Sequence, residues 1–380
     1  MQKIGKVIKH RFFLFFIFSA FCFLPSAFSA QIRVVILQDA ESAGIKVSGF
    51  YEITDPSGKL ILKGKGLKTT AVAYKGGMLI ARKNFKSAKI NIHPQEGDEV
   101  VVNGRRFKGD IQLIVSNNAR VSAINRINLE DYVKGILYHE ASHYWPIEAL
   151  KAQAVVCRSY AVYQSQENKS KDYDVTADVY SQVYGGSDSE RYRTNTATDQ
   201  TQGMILTYKN KPLPAFFHAT CGGHTQDASR LWNIDIPPLK GVACGWCKDS
   251  PHFNWHSVLS LEEIEDALSK SGGRQVGRIK SIAILGRDDS GRITELKISG
   301  EQETTISSKD FRSIIGPNTI RSANFNVTVV NTDAVFEGLG WGHGAGLCQW
   351  GAYFMAKEGK TFEEILKYYY PHSDVKTLGF

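Results

Sequence analysis

Glu140 stands in the stretch YHEASHYWPIEALKAQAVVCRSYA, residues 138–161, beside Tyr138, Tyr144 and Trp145 and between His139 and His143. A carboxyl set among aromatic rings loses solvation. Burial disfavours its charged form and raises its pKa toward neutrality, the condition for general-acid work at ordinary pH. On the residues alone two structural roles compete with that one: pairing with Arg158, or capping the helix that Pro146 opens. Arg158 is informative in any case, because a guanidinium on a buried helix must find a carboxylate or a ligand group. We expect it to hold the site or a polar group of a bound ligand.

A second chemistry-bearing stretch is GLGWGHGAGLCQWGA, residues 338–352. A phosphate-loop reading of it is weak, since it lacks the Walker lysine and the strand–turn–helix context that gives such loops meaning. Alternating glycines let backbone approach a ligand closely, with His343 and Gln349 as hydrogen-bonding groups and Trp341 as a stacking face. A tight turn around a satisfied core histidine is the plainer alternative.

Cys221, Cys244 and Cys247 form the third cluster, with His218, His224, His252 and His256 nearby in sequence. Three thiolates and one imidazole make a structural zinc site, for which His252 or His224 is the expected fourth ligand. A disulfide and a redox CGWC pair are the alternatives. The redox reading needs the pair at a helix N-terminus in a thioredoxin-like unit, and KDSPHFNW after Cys247 reads as loop. Cys157 shares a helical stripe with Ile147, Leu150, Ala154 and Ala161, where a buried inert thiol is the usual case.

The elements that position these residues follow from periodicity. From Gln31 to about Asn125, short alternating runs (IRVVIL, GIKVSGFYEI, AKINIH, EVVVNG, IQLIVS) are broken by DPSG, YKGG, PQEGD and RRFKGD, the pattern of hairpin-linked antiparallel strands. Helical spacing begins at Asn128, where Asp131 three residues on suggests a capping box, and runs through Leu129, Val133, Ile136 and Leu137. Pro146 opens a second helix that is apolar on most sides and is therefore expected to be enclosed by protein. Glu140 then falls in the corner between the two. IKSIAILGRDDSGRITELKISG reads as a hairpin around DDSG, and Thr361 with Glu364 as a capping box ahead of EILKYYY. The fold class expected is α+β: a β-rich part over residues 31–127, then a helical core, the cysteine cluster and the Gly-rich loop over 128–380.

Residues 1–30 read as a secretory signal peptide: Lys3, Lys6, Lys9 and Arg11, an apolar run from Phe12 to Leu24, then small residues up to Ala30. A signal anchor is the alternative, but the run is shorter than the roughly 20 residues of a spanning helix, so cleavage near Ser29 or Ala30 is expected, with no transmembrane segment afterwards. Cleavage lowers the formal charge from +8 to +4. That removes a nucleic-acid-type balance, and no nucleic-acid partner is expected. The mature chain should be exported, to the periplasm or cell envelope. The five cysteines left, an odd number, argue against a complete disulfide framework.

Together, EDYVKGILYHEASHYWPIEALKAQAVVCRSYA, SQVYGG, FFHATCGGHT, IRSANF and the Gly-His-Gly block with its following helix resemble the sporulation stage II protein D family and its amidase-enhancer relatives, in the same order over most of residues 31–375. The resemblance implies a lytic transglycosylase acting on peptidoglycan glycan strands already stripped of stem peptides by an amidase. It places the family's catalytic glutamate on Glu140, and Gln182 and Tyr184 in the substrate groove, with ordinary strand residues as the alternative; for Arg158 it implies holding the site or a sugar acetamide of the glycan. Some sporulation members bind a metal through a cysteine where Ser181 stands, and that departure removes their site here. No cofactor is required for the chemistry, and a structural zinc is the one the cysteines suggest. Two other functions compete: a non-catalytic wall-binding protein that stimulates a partner amidase, and a thiol hydrolase using Cys157 or Cys348 with His343.

Overall fold

The computed structural model describes residues 30–178, 181–272 and 276–379, so the expected signal peptide lies almost wholly outside the described residues. The architecture is α+β. An eleven-stranded, largely antiparallel sheet is built from β1 (Gln31–Ala40), β2 (Ser42–Thr54), β3 (Leu60–Tyr74), β4 (Gly77–Ile80), β5 (Lys83–Phe85), β6 (Lys89–Pro94), β7 (Val100–Val102), β8 (Arg105–Phe107), β9 (Asp110–Val115), β10 (Val121–Asn128) and β11 (Val175–Thr176). Alternation along these strands sends Ile32, Val34, Ile45, Val47, Ile90 and Ile92 into one core, with polar neighbours turned out. Register is fixed by that alternation, and Gln31 lies opposite Asn128 at the β1–β10 edge.

Strand β10 passes without a linker into α1 (Leu129–Glu140). Asn128 ends the strand and caps the helix, its Oδ1 accepting the Glu130 N–H at 2.7 Å. The reciprocal half of a capping box is not made, because Asp131 turns to the Lys108 ammonium at 3.2 Å. Leu129, Tyr132, Val133, Ile136 and Leu137 bury one face of α1. The helix stops at Glu140, with Ala141 extended (φ −144°), and the chain turns through Ser142–Trp145 before Pro146 caps α2 (Ile147–Glu167).

The absence of a polar face on α2 has a direct cause. Cys157 and Ala161 enter the sheet core; Ala152, Val155 and Val156 enter a second core around the cysteine cluster; Leu150 and Ala154 meet Val133 and Leu137 of α1. Each fully buried aliphatic side chain contributes on the order of 2 kcal/mol, so a helix wrapped on three sides fixes the centre of the molecule.

After α3 (Tyr192–Gln200) and α4 (Ser229–Trp232), residues 254–339 form a unit with its own core. Strands Asn254–Ser260, Asp333–Leu339 and Phe325–Val330 make one sheet, Ser281–Arg287, Ile293–Ser299 and Glu303–Ser307 another, and α5 (Leu261–Lys270) and α6 (Ser308–Ile315) pack with Trp255, Phe311, Phe325 and Phe336. The DDSG hairpin is present within it. Local periodicity leaves 128–380 as one stretch, because the pair that closes this unit, Asn254 with Leu339, is too distant in sequence for it to reveal.

The chain then returns through α7 (Gln349–Lys357) and α8 (Phe362–Tyr369), the latter with the expected Thr361–Glu364 capping box. Phe217 and His218 pair in parallel with Leu347 and Cys348, which lays the Gly-rich loop beside the segment leading to Cys221. Among the described residues no helix is long and apolar enough to cross a membrane.

Candidate active site

Glu140 ends α1 at the floor of a cleft of about 260 Å³. Trp145, His252, Trp341 and Trp350 supply its aromatic walls, and Glu140 is the one carboxylate among the described residues that line it. Trp145 and Trp350 meet edge to face with ring centroids 5.2 Å apart, and His252 meets Trp341 at 4.8 Å. Burial pushes the Glu140 carboxyl up from the usual 4.5 to about 7, against one opposing influence, the Val183 N–H that donates to Oε1 at 3.0 Å. Oε2 has no partner among the described residues. The group is thus half protonated near neutrality, with one oxygen held and one open.

Three segments hold it there. Gln349 Nε2 donates to the Glu140 carbonyl at 2.8 Å, so the start of α7 closes on the end of α1. Gln182 is buried: its Oε1 accepts the Tyr132 hydroxyl at 3.1 Å and its amide donates to the Cys157 carbonyl at 3.3 Å. Tyr184 is buried as well and donates to Asn125 Oδ1 at 2.7 Å. Neither lines the cleft; they fix the loop whose next backbone N–H, that of Val183, reaches Glu140. Gly135 makes room for this packing, since a Cβ there would stand 2.5 Å from the Tyr184 ring.

Glu140 neither pairs with Arg158 nor caps α2. Arg158 is 0 % exposed and forms a bidentate pair with Glu130 (Nε to Oε1 2.8 Å, NH2 to Oε2 2.7 Å), with the Met204 and Thr198 carbonyls taking further N–H groups. Its assignment to a sugar acetamide is therefore corrected: the missing carboxylate was Glu130, one helix earlier. His343 also lies away from the cleft lining. It packs against Phe216, His218 and Trp232, its Nδ1 accepts the Ala345 N–H at 3.1 Å, and burial holds its pKa down at about 3. A neutral imidazole bracing the loop is the plainer of the two roles weighed for it. Of the Gly-rich stretch, Trp341, Gln349 and Trp350 are what reach the cleft.

The Cys221, Cys244 and Cys247 sulfurs gather as expected, but the fourth group beside them is Cys348, with all four sulfurs within 4.8 Å of one another. His252 is a cleft wall and His224 Nδ1 bonds the Thr225 carbonyl, so neither completes the set. Cys348 was hidden by its distance in sequence and by the glycines around it. The thiol-hydrolase arrangement is absent: Cys157 is fully buried with its thiol pushed up by desolvation, and Cys348 is occupied with the other sulfurs.

A profile of the Stage II sporulation protein family matches residues 117–208, which span α1, the Glu140 corner, α2 and the Gln182–Tyr184 loop. A domain of unknown function matches 246–346, close to the unit with its own core. Among relatives, an uncharacterized protein of Brachyspira hyodysenteriae is 38% identical over 73% of this chain and 74% of its own length. Stage II sporulation protein D of Bacillus subtilis is 31% identical over 67% of this chain and 76% of its own. The amidase enhancer of the same bacterium is 26% identical over 91% of this chain but only 52% of its own. With a Glu140 corner inside the matched region and a relative of this identity covered over three quarters of its length, the chain belongs to the stage II sporulation protein D and amidase-enhancer family.

Proposed function

We propose that this protein is an exported lytic transglycosylase that cleaves peptidoglycan glycan strands stripped of stem peptides, in wall remodelling, division or sporulation. The observation that supports it is the solitary Glu140 with a pKa of about 7 in an aromatic-walled cleft. Hydrolytic glycosidases ordinarily use two carboxyl groups flanking the scissile bond, and the cleft offers one. A single carboxyl suffices when the sugar supplies its own nucleophile. Protonated Glu140 gives its proton to the glycosidic oxygen, the C1–O bond to the leaving sugar breaks, and the muramyl C6 hydroxyl closes on C1. The carboxylate takes the hydroxyl proton, which restores the starting acid and leaves a 1,6-anhydro end. Trp145, Trp341 and Trp350 offer flat faces to sugar rings, and remote sugars held there would position the C6 hydroxyl.

The second reading, a wall-binding protein that stimulates a partner amidase, draws on the similarity to the amidase enhancer and needs the cleft without turnover. Mass spectrometry of products from purified peptide-free and peptide-bearing glycan decides between them. Anhydro-muramyl ends that require Glu140 and form faster on peptide-free strands support the transglycosylase. Reducing ends indicate a hydrolase, and products that form only when an amidase is added favour the enhancer.

A further inference from the structure

We propose that Cys221, Cys244, Cys247 and Cys348 hold one zinc ion as a tetrathiolate, that the buried Arg292 guanidinium balances its charge, and that this centre fixes the cleft wall carrying Gln349 and Trp350. The sulfurs come from four places in the chain: the turn before Gly222 and Gly223, both ends of the C-x-x-C turn, and the cap of α7. All four are buried and lie within 4.8 Å of one another, with the Cys221 and Cys247 sulfurs 3.4 Å apart. A tetrahedron with Zn–S bonds of about 2.3 Å has edges of about 3.8 Å, whereas a disulfide needs about 2.05 Å. The spacing suits four ligands around a common point.

The surroundings suit thiolates. The Cys221 and Gly351 N–H groups both donate to Cys348 Sγ at 3.3 Å, and the Tyr369 hydroxyl lies 3.2 Å from Cys244 Sγ. Gly351 is required for that approach: a Cβ would stand 1.9 Å from the Tyr369 hydroxyl and 3.2 Å from Cys244 Sγ.

A separate observation comes from Arg292, which is 0 % exposed. Its guanidinium donates to the Cys221 carbonyl at 2.6 Å, the His224 carbonyl at 2.8 Å and Ser290 Oγ at 3.1 Å; among the described residues no carboxylate forms an ion pair with it, since the neighbouring Asp288 bonds the Arg292 backbone N–H at 3.1 Å instead. A buried cation without a directly paired anion is costly, and a zinc ion bound by four thiolates is a dianion. Gly344 of the Gly-rich loop lies against this guanidinium, where a Cβ would come within 2.5 Å of it.

The centre ties together the segments that build the cleft. Cys348 is followed by Gln349, which bonds the Glu140 carbonyl, and by Trp350. Thr220, next to Cys221, bridges to Trp341, and Cys247 leads into the turn that carries His252. All four protein ligands leave no open position, so the ion is structural and takes no part in bond cleavage.

The test reads the metal directly and stands apart from the transglycosylase reading. The full mature chain, purified without chelator, should carry about one zinc per chain by elemental analysis. Replacement by cobalt should give intense thiolate-to-metal charge-transfer absorption with tetrahedral d–d bands. Cys348→Ala should lose most of the metal while His252→Ala keeps it, and Arg292→Met should release zinc to a chelator about tenfold more readily. Disulfide-linked peptides among these cysteines in the native protein, cobalt spectra without thiolate bands, or unchanged zinc in Cys348→Ala would overturn the proposal.

Discussion

The backbone N–H of Val183 reaches across from the loop after β11 to donate to Glu140 Oε1 at 3.0 Å, and among the described residues it is the one hydrogen bond on a carboxyl otherwise sunk among aromatic rings. Without that bond, desolvation would carry the group further upward. With two or three such donors the carboxylate would stay charged. One donor leaves the pKa at about 7, where the same group can give and then take a proton.

The rate should therefore fall as pH rises. If protonated Glu140 starts the cycle, kcat/KM on peptide-free glycan is flat on the acid side and drops about tenfold per pH unit above about 7. The measurement is a pH–rate profile with initial rates of anhydro-end formation. A rate that climbs through pH 7 would assign Glu140 as a base from the outset.

Glu140→Gln should lose at least 100-fold in turnover, the usual scale of general acid–base assistance, while gaining stability. Between about 4.5 and 7 the folded chain holds a proton that the unfolded chain has released, so wild-type stability declines as pH rises through that window. Above it the charged carboxylate costs about 3 kcal/mol, which the amide avoids while still accepting the Val183 N–H. Thermal melts at pH 4 and pH 8 check this. The variant should match wild type at the lower pH and exceed it at the higher, and equal melting at both would show a solvated carboxylate.

Much of this corner was legible in the sequence because its signals are local. Asn128 ahead of an apolar 3.6-residue period, Pro146 ahead of an apolar run and Glu140 between them required only neighbours in the chain. The partners were not local. Glu130 is the carboxylate for Arg158, but its spacing from Arg158 carries no helical or strand period. Cys348 joins Cys221 through a parallel pairing across more than a hundred residues, and His343 looked like a ligand because its loop is glycine-rich, whereas the glycines serve close packing against Arg292 and Phe216. Periodicity shows which face is buried, and it does not show what that face will meet.

The separation of His343 from the cleft predicts different phenotypes for two neighbours in the Gly-rich segment. His343→Ala should lower stability by about 1 to 3 kcal/mol through lost packing with Phe216, His218 and Trp232, with a near-normal KM below its melting temperature. Trp350→Ala removes a cleft wall and should raise KM for glycan about tenfold, about 1.4 kcal/mol, with the Glu140 pKa read from the pH profile shifted down as water enters. Denaturant melts beside glycan kinetics separate the two, and a raised KM in His343→Ala with unchanged melting would return that histidine to the binding surface.

The Arg158–Glu130 pair makes the last case, because the two roles considered for Arg158 differ in what its loss would do. As a sugar ligand, its replacement would raise KM and leave folding intact. As the structure has it, a fully buried guanidinium ties α1 to α2 and to the turn before Met204, and its replacement strands the Glu130 carboxylate, with the Gly203 N–H at 3.1 Å the one partner left to it among the described residues. Breaking a buried pair from one side costs about 3 to 5 kcal/mol, since the remaining charge stays buried without its partner. Replacing both with apolar or amide groups of similar size costs much less. Arg158→Met should therefore be severely destabilised, and adding Glu130→Gln should recover part of the loss rather than deepen it. That non-additivity, measured in a double-mutant cycle by urea denaturation, is the signature of direct coupling. The recovered double variant should also cleave glycan with a KM near that of the wild type, because neither side chain lines the cleft. Additive losses, or a double variant that folds fully yet fails to bind glycan, would place Arg158 back on the substrate.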